Sequence, residues 1–223
     1  MKIKEKTSKV FLLLEKENLQ TETELSYVNP YTLLVAVVLS AQSTDIGVNK
    51  ATKNLFKKIK SPIKMIKLGE KRLMGYIKTI GLYRNKAKNV IALSRILHEK
   101  HNSAVPSSMD ELTQLPGVGR KTANVVMNVI FDKPTIAVDT HVFRVSNRLG
   151  IGLGKTPEEV EKKLLNNVPE KYLKDAHHWL IMFGRYKCKA QNPLCDECKL
   201  IHFCSFYKKE YVKKSSINNR SRN

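Results

Sequence analysis

Leu115-Pro116-Gly117-Val118-Gly119-Arg120-Lys121-Thr122-Ala123-Asn124-Val125-Val126 decides how the rest of the chain is read. Upstream, Ser108 and Glu111 have the spacing of a helix-capping pair, so a short helix is expected from there to Leu115. Pro116 ends it. Gly117 and Gly119 flank one apolar residue, so the backbone can turn sharply with no side chain between its N–H groups and an approaching anion. Ala123, Val126, Met127 and Ile130 then recur at helical spacing, which predicts a second helix starting at the turn with its positive end outward. Exposed N–H groups at a helix start favour phosphate, and Arg120 and Lys121 place two cations there. The expected ligand is a nucleic-acid backbone.

Gly-x-Gly alone is weak evidence, because it also serves as an ordinary turn between packed helices. The whole run, with proline before and Arg-Lys after, is a helix-hairpin-helix pattern. In the first turn beside Arg120, the Lys121 ammonium is expected to sit in a positive potential that disfavours its charged form. A lysine kept partly neutral is a nucleophile. A second stretch, Ile80-Gly81-Leu82-Tyr83-Arg84-Asn85-Lys86-Ala87, can be laid over Pro116 to Ala123. Asn85 falls where Lys121 stands, so this copy could hold a backbone but could not form an imine. Two ordinary glycine-containing junctions are an equal reading of it.

With 223 residues the chain can bury a substantial core in one or two domains. Lys and Arg number 40 against 20 acids, for a formal net charge of +20 and a pI near 9.8. Only nine of the 40 are arginine, so part of the excess can be compositional. Its distribution says more: residues 50–100 hold 15 Lys or Arg and only two acids, Glu70 and Glu99. That concentration points to an anionic partner. The longest apolar run, Leu33 to Leu39, has seven residues, whereas a membrane helix needs about 20. Val10 to Leu14 is too short for a signal-peptide core and is followed by Glu15. A cytoplasmic, nucleoid-associated monomer with no membrane partner is expected.

In chain order, Val10, Leu13 and Leu14 mark one face of an amphipathic helix within Met1 to Gln20. Asn29-Pro30 is a break, and Tyr31 to Ala41 is apolar all round, a buried central helix with a strand as the alternative. Ser40 to Asp45 is polar and rich in N-cap residues for a helix over Ile46 to Ile59, which puts Gln42 at a helix junction. Asp139 stands where it can cap a helix over Val142 to Leu149; the functional reading is a carboxylate facing Lys121. His141 is read as structural. Thr156-Pro157-Glu158-Glu159 opens a further helix. Trp179 reads as core, and the pair His177-His178 as core or surface residues.

All four cysteines lie between Cys188 and Cys204, and Cys188, Cys195, Cys198 and Cys204 are separated by six, two and five residues. In a reducing compartment such a group points to metal before disulfides, and either zinc or a [4Fe-4S] cluster could be held. Lys187, Lys189 and Lys199 surround the ligands, where they could meet phosphate or simply offset thiolate charge.

From about Tyr31 to Cys204 the chain resembles the endonuclease III family of base-excision DNA glycosylases. The resemblance is carried by Leu115 to Asn124, Val138-Asp139-Thr140-His141 and the six-two-five cysteine spacing. It implies an all-α, two-domain protein with a DNA cleft between its domains. Residues 22–133 would form a six-helix domain with the hairpin. Residues 1–21 and 134–211 would form a [4Fe-4S] domain from both chain ends, and 212–223 a disordered basic tail. The resemblance favours iron and sulfur over zinc. It implies Lys121 as imine-forming nucleophile, Asp139 as the assisting carboxylate, Gln42 as the residue entering the duplex where a base is extruded, and Leu82 as the wedge beside it. Gly117, Val118, Gly119, Arg120 and Lys189 would contact DNA. The implied partner is double-stranded DNA with damaged bases or abasic sites, and the implied activity is bifunctional: removal of oxidised or ring-saturated pyrimidines, then β-elimination 3′ to the site. A glycosylase of different base preference and a non-catalytic DNA-binding module are the alternatives.

Overall fold

The computed structural model describes residues 1–17 and 22–209; the expected tail at 212–223 and the end of the first amphipathic stretch lie outside them. Among the described residues no strand occurs. In chain order the helices are α1 (Ile3–Lys16), α2 (Pro30–Ser40), α3 (Asp45–Lys58), α4 (Pro62–Leu68), α5 (Glu70–Ile77) and α6 (Tyr83–Lys100). There follow α7 (Met109–Thr113), α8 (Arg120–Phe131), α9 (Thr140–Leu149), α10 (Pro157–Asn167) and α11 (Glu170–Tyr186), with one 3-10 turn at Ile201–Phe203. The chain divides into two compact units, one from Glu22–Lys133 and one from Met1–Thr21 with Pro134–Asn223.

The first unit is built on α2, buried along nine of its eleven residues and packed against α3, α6 and α8. Its β-branched valines do not make it a strand, because the helix is started from outside the apolar run. Asn29 Oδ1 accepts from Thr32 N (2.9 Å), Thr32 Oγ1 accepts from Asn29 N (2.9 Å), and Pro30 takes the first helical position. A buried hydroxyl pair, Tyr31 Oη and Ser94 Oγ at 2.6 Å, ties α2 to α6. α4 and α5 share Gly69 as their common cap and read together as one bent element.

The second unit joins the start of the chain to its last third. Phe11 of α1 stacks on Tyr172 of α11 with centroids 5.9 Å apart, and Trp179 closes the aromatic group at 6.3 and 5.7 Å. Val142, Val145 and Leu149 of α9 and Val160 and Leu164 of α10 complete this core. Burying each such side chain contributes about 1.5–3 kcal/mol. His177 and His178 are both buried in α11, so neither is a surface residue. Burial pushes the His178 imidazole below its usual range, opposed by nearby Asp175.

Candidate functional site

α7, the glycine turn and α8 form a helical hairpin within the first unit. Ser108 Oγ accepts from Glu111 N to start α7, and Val118 N donates to the Leu115 carbonyl (3.0 Å) to close the turn. Leu115 and Val118 are buried beneath it, so Val118 anchors the turn by its side chain while Gly117 and Gly119 stay exposed. Gly117 has φ +80°, a left-handed conformation, and a Cβ there would lie 2.9 Å from Asn89 Nδ2; both facts demand glycine. Gly119 caps α8 with no side-chain hydrogen bond, and a Cβ on it would meet nothing within 4 Å.

Six helices carry an acid in their first turn, as the helix dipole favours. α8 carries none there and begins with Arg120 and Lys121, both exposed. Two cations at the positive end of a helix cost stability, about 0.3–1 kcal/mol each. An anionic ligand would turn that cost into binding.

Gln42 and Leu82 stand in two other turns of the same unit, and both are exposed non-glycine residues at positive φ, 54° and 58°. Left-handed backbone at such residues is strained by roughly 1–2 kcal/mol. Leu82 is 57 % exposed and is the uncapped N-cap of α6. The turns are neighbours: a Cβ on Gly81 would lie 3.6 Å from the Gln42 carbonyl oxygen.

In the second unit Asp139 is the N-cap of α9, half-buried. Its Oδ1 accepts from both His141 N (2.9 Å) and Val142 N (2.8 Å), which leaves Oδ2 for another partner. Capping and a chemical role are therefore compatible in one carboxylate. His141 packs inward with Nδ1 3.2 Å from Arg144 Nη2, and burial holds its imidazole below the usual range against the opposing pull of Asp139.

Cys188, Cys195, Cys198 and Cys204 are all free thiols and line one cavity. Leu149, Phe183, Pro193, Leu194, Ile201 and Phe206 form its apolar wall. Burial raises the Cys195 and Cys198 thiols, and each is raised further by the other cysteines. Such a set is stable as thiolates only around a cationic centre. Among the described residues no three His, Cys, Asp or Glu side chains gather closely enough for a single metal ion. The four cysteines nonetheless line the same cavity.

Residues 35–170 match the model of the HhH-GPD superfamily of base excision DNA repair proteins, and residues 188–204 match the iron-sulfur binding domain of endonuclease III. The chain is 54 % identical to endonuclease III of Rickettsia felis, over 93 % of this chain and 97 % of that one. To endonuclease III of Escherichia coli K12 it is 50 % identical, over 92 % and 98 %. The chain belongs to the endonuclease III family. Its fold superposes with a TM-score of 0.84 on a trapped endonuclease III-DNA covalent intermediate, at 50 % identity over 89 % of this chain and 93 % of that one.

As in any member of the endonuclease III family with this domain, the cysteine loop here is an iron-sulfur site. Two residues that sequence reasoning passed over hold it. Arg148 places Nη1 3.5 Å from Cys188 Sγ and donates to the carbonyls of Lys189 (2.6 Å) and Ala190 (3.0 Å). Arg144 donates to the carbonyls of Cys188 (3.1 Å) and Gly184 (2.9 Å). A signal existed: in a lysine-rich chain, two of only nine arginines stand four apart after Asp139. Lys187 and Lys199, read as near phosphate or thiolate, pair with Glu197 (3.5 Å) and Glu17 (2.5 Å); Lys189 is exposed. No helix among the described residues is long and apolar enough to cross a membrane.

Proposed function

We propose that this base-excision-repair enzyme is bifunctional, a DNA glycosylase that removes oxidised or ring-saturated pyrimidines and an AP lyase that cuts the strand through an imine on Lys121. The observation that carries the reading is Lys121 itself: an exposed amine in the first turn of α8, beside Arg120 and the glycine turn that opens the helix. A relative of the same fold was caught as a covalent intermediate with DNA, as an attacking amine requires.

Gly117, Gly119 and Arg120 grip the phosphate backbone at the start of α8, and Val118 fixes the bend that presents them. Gln42 fills the place of the extruded nucleotide and Leu82 wedges beside it, which accounts for strained backbone at two exposed side chains. Lys189, exposed beside the cysteine loop, adds a phosphate contact. Asp139 uses Oδ1 to cap α9 and Oδ2 to stabilise positive charge on the sugar or to take a proton from Lys121. Lys121 Nζ forms a bond to C1′ as the glycosidic C1′–N bond breaks and the base leaves protonated. Ring opening gives the imine, whose electron demand acidifies the C2′ hydrogen. Loss of that proton expels the 3′ phosphate as the C3′–O bond breaks, and water releases the enzyme.

Cys188, Cys195, Cys198 and Cys204 would hold a [4Fe-4S] cluster, which supplies rigid cross-linking of the 188–204 loop. The site of action is nucleoid DNA. Borohydride reduction on a duplex with an abasic site tests the reading: native protein is trapped as a covalent adduct and Lys121→Ala is not. Absence of the adduct in the native protein, or its persistence in the variant, would overturn the lyase assignment.

A further inference from the structure

Lys86 is 5 % exposed, and the mechanism above does not use it. It lies one turn into α6, so its backbone N–H donates to the Leu82 carbonyl (3.0 Å). Its side chain runs the other way, and Nζ donates to Ser43 Oγ at 2.8 Å. Ser43 follows Gln42, and its own N–H is bonded back to the Ser40 carbonyl (3.0 Å). The lysine side chain therefore ties the first turns of α6, which start at the strained Leu82, to the residue that follows the strained Gln42. Burial of an ammonium is unfavourable and lowers its proton affinity. A buried cation retained at that cost needs a reason, and an apolar side chain of the same length would fill the space without it.

We infer that Lys86 is a positioning residue for base extrusion, locking the Gln42 turn to the Leu82 turn so that both side chains are set against each other before DNA arrives. The inference rests on the proposed roles of Gln42 and Leu82. Preorganisation of this kind acts where a stacked nucleotide must leave a duplex; a flexible single strand needs none.

The test compares two substrates with the full-length, iron-sulfur-loaded protein. One is a duplex bearing a ring-saturated thymine; the other is a single-stranded oligonucleotide bearing an abasic site. Lys86→Met should slow single-turnover excision from the duplex about tenfold or more, as loss of a hydrogen bond to a charged group implies. Single-strand cleavage should stay within about twofold, and Lys86→Arg should recover part of the duplex rate. Ser43→Ala removes only the acceptor and covers the case in which Lys86→Met does not fold. It should show a smaller loss of the same kind, and the double variant should lose no more than Lys86→Met. Equal losses on both substrates, or none, in Lys86→Met and Ser43→Ala overturn the inference if Gln42→Ala and Leu82→Ala still show duplex-selective loss. If Gln42→Ala and Leu82→Ala show no duplex selectivity, their assigned roles fall first and this inference with them.

Discussion

The turns at Ile80–Ala87 and Pro116–Ala123 look like copies in sequence, and the structure shows what each does differently with the same letters. Each leads from one helix to another, and each following helix lacks both a side-chain cap and a first-turn acid. In the second turn Gly117 takes the left-handed conformation, and Val118 is free to bury itself at 5 % exposure. In the first, Gly81 does not take it; the strain falls on Leu82, which is turned outward. One turn hides its central apolar residue to offer backbone, and the other displays it. α6 serves both, beginning at Leu82 and setting Asn89 against Gly117. Similar local sequence thus gives one turn that buries its central apolar side chain and one that exposes it, and where the positive φ lies decides which.

The comparison breaks most visibly at the aligned pair Lys121 and Asn85. Lys121→Ala should lower strand cleavage by about 10³-fold or more. Asn85→Lys in that background should restore no borohydride-trapped adduct; an adduct mapped to position 85 would make the two turns interchangeable. Asp139→Asn should lower excision by about 10²-fold or more. Asparagine still caps a helix, so stability should change by less than about 1 kcal/mol, and DNA binding should persist in a mobility-shift assay. Gly117→Ala should cost about 2 kcal/mol or more in urea unfolding, from left-handed strain plus the Asn89 contact. Gly81→Ala, with only an ordinary 3.6 Å contact, should stay within about 0.5 kcal/mol. Leu82→Gly should leave stability within about 1 kcal/mol, because relief of strain offsets added chain entropy, and still slow duplex excision. The smallest effect is on salt: Arg120→Ala should reduce the slope of log binding constant against log salt by about one. An equal change in Arg84→Ala would show that the first turn grips backbone as well.

What was legible in the sequence was what short-range chemistry dictates. Asn29-Pro30 and Thr156-Pro157 announce their helices because capping is settled within four residues, and α2 and α10 begin where those signals stand. The six-two-five cysteines announce a metal site because loop closure is local. Contacts across 40 positions left little trace. Lys86 to Ser43, Arg144 to the Cys188 carbonyl and Arg148 to the carbonyls beyond it join segments that only packing brings together. The burial of His178 in α11 and the pairing of Lys187 with Glu197 and of Lys199 with Glu17 were hidden for the same reason, since they are tertiary facts. Left-handed backbone at Gln42 and Leu82 was equally hidden, because neither residue type favours it.

The seam between α1 and α11, where Glu15 accepts from Tyr172 Oη across 157 positions of chain, sets an order for biosynthesis. At about 5–20 residues per second a ribosome needs roughly 10–30 s to deliver Tyr172 after Glu15. Through that interval the sticky face of the first helix waits without its aromatic partners, while Glu22–Lys133 is already out and able to collapse by itself. The first helix of the nascent chain therefore waits longest for its partners, and truncation before Tyr172 would strand that helix permanently.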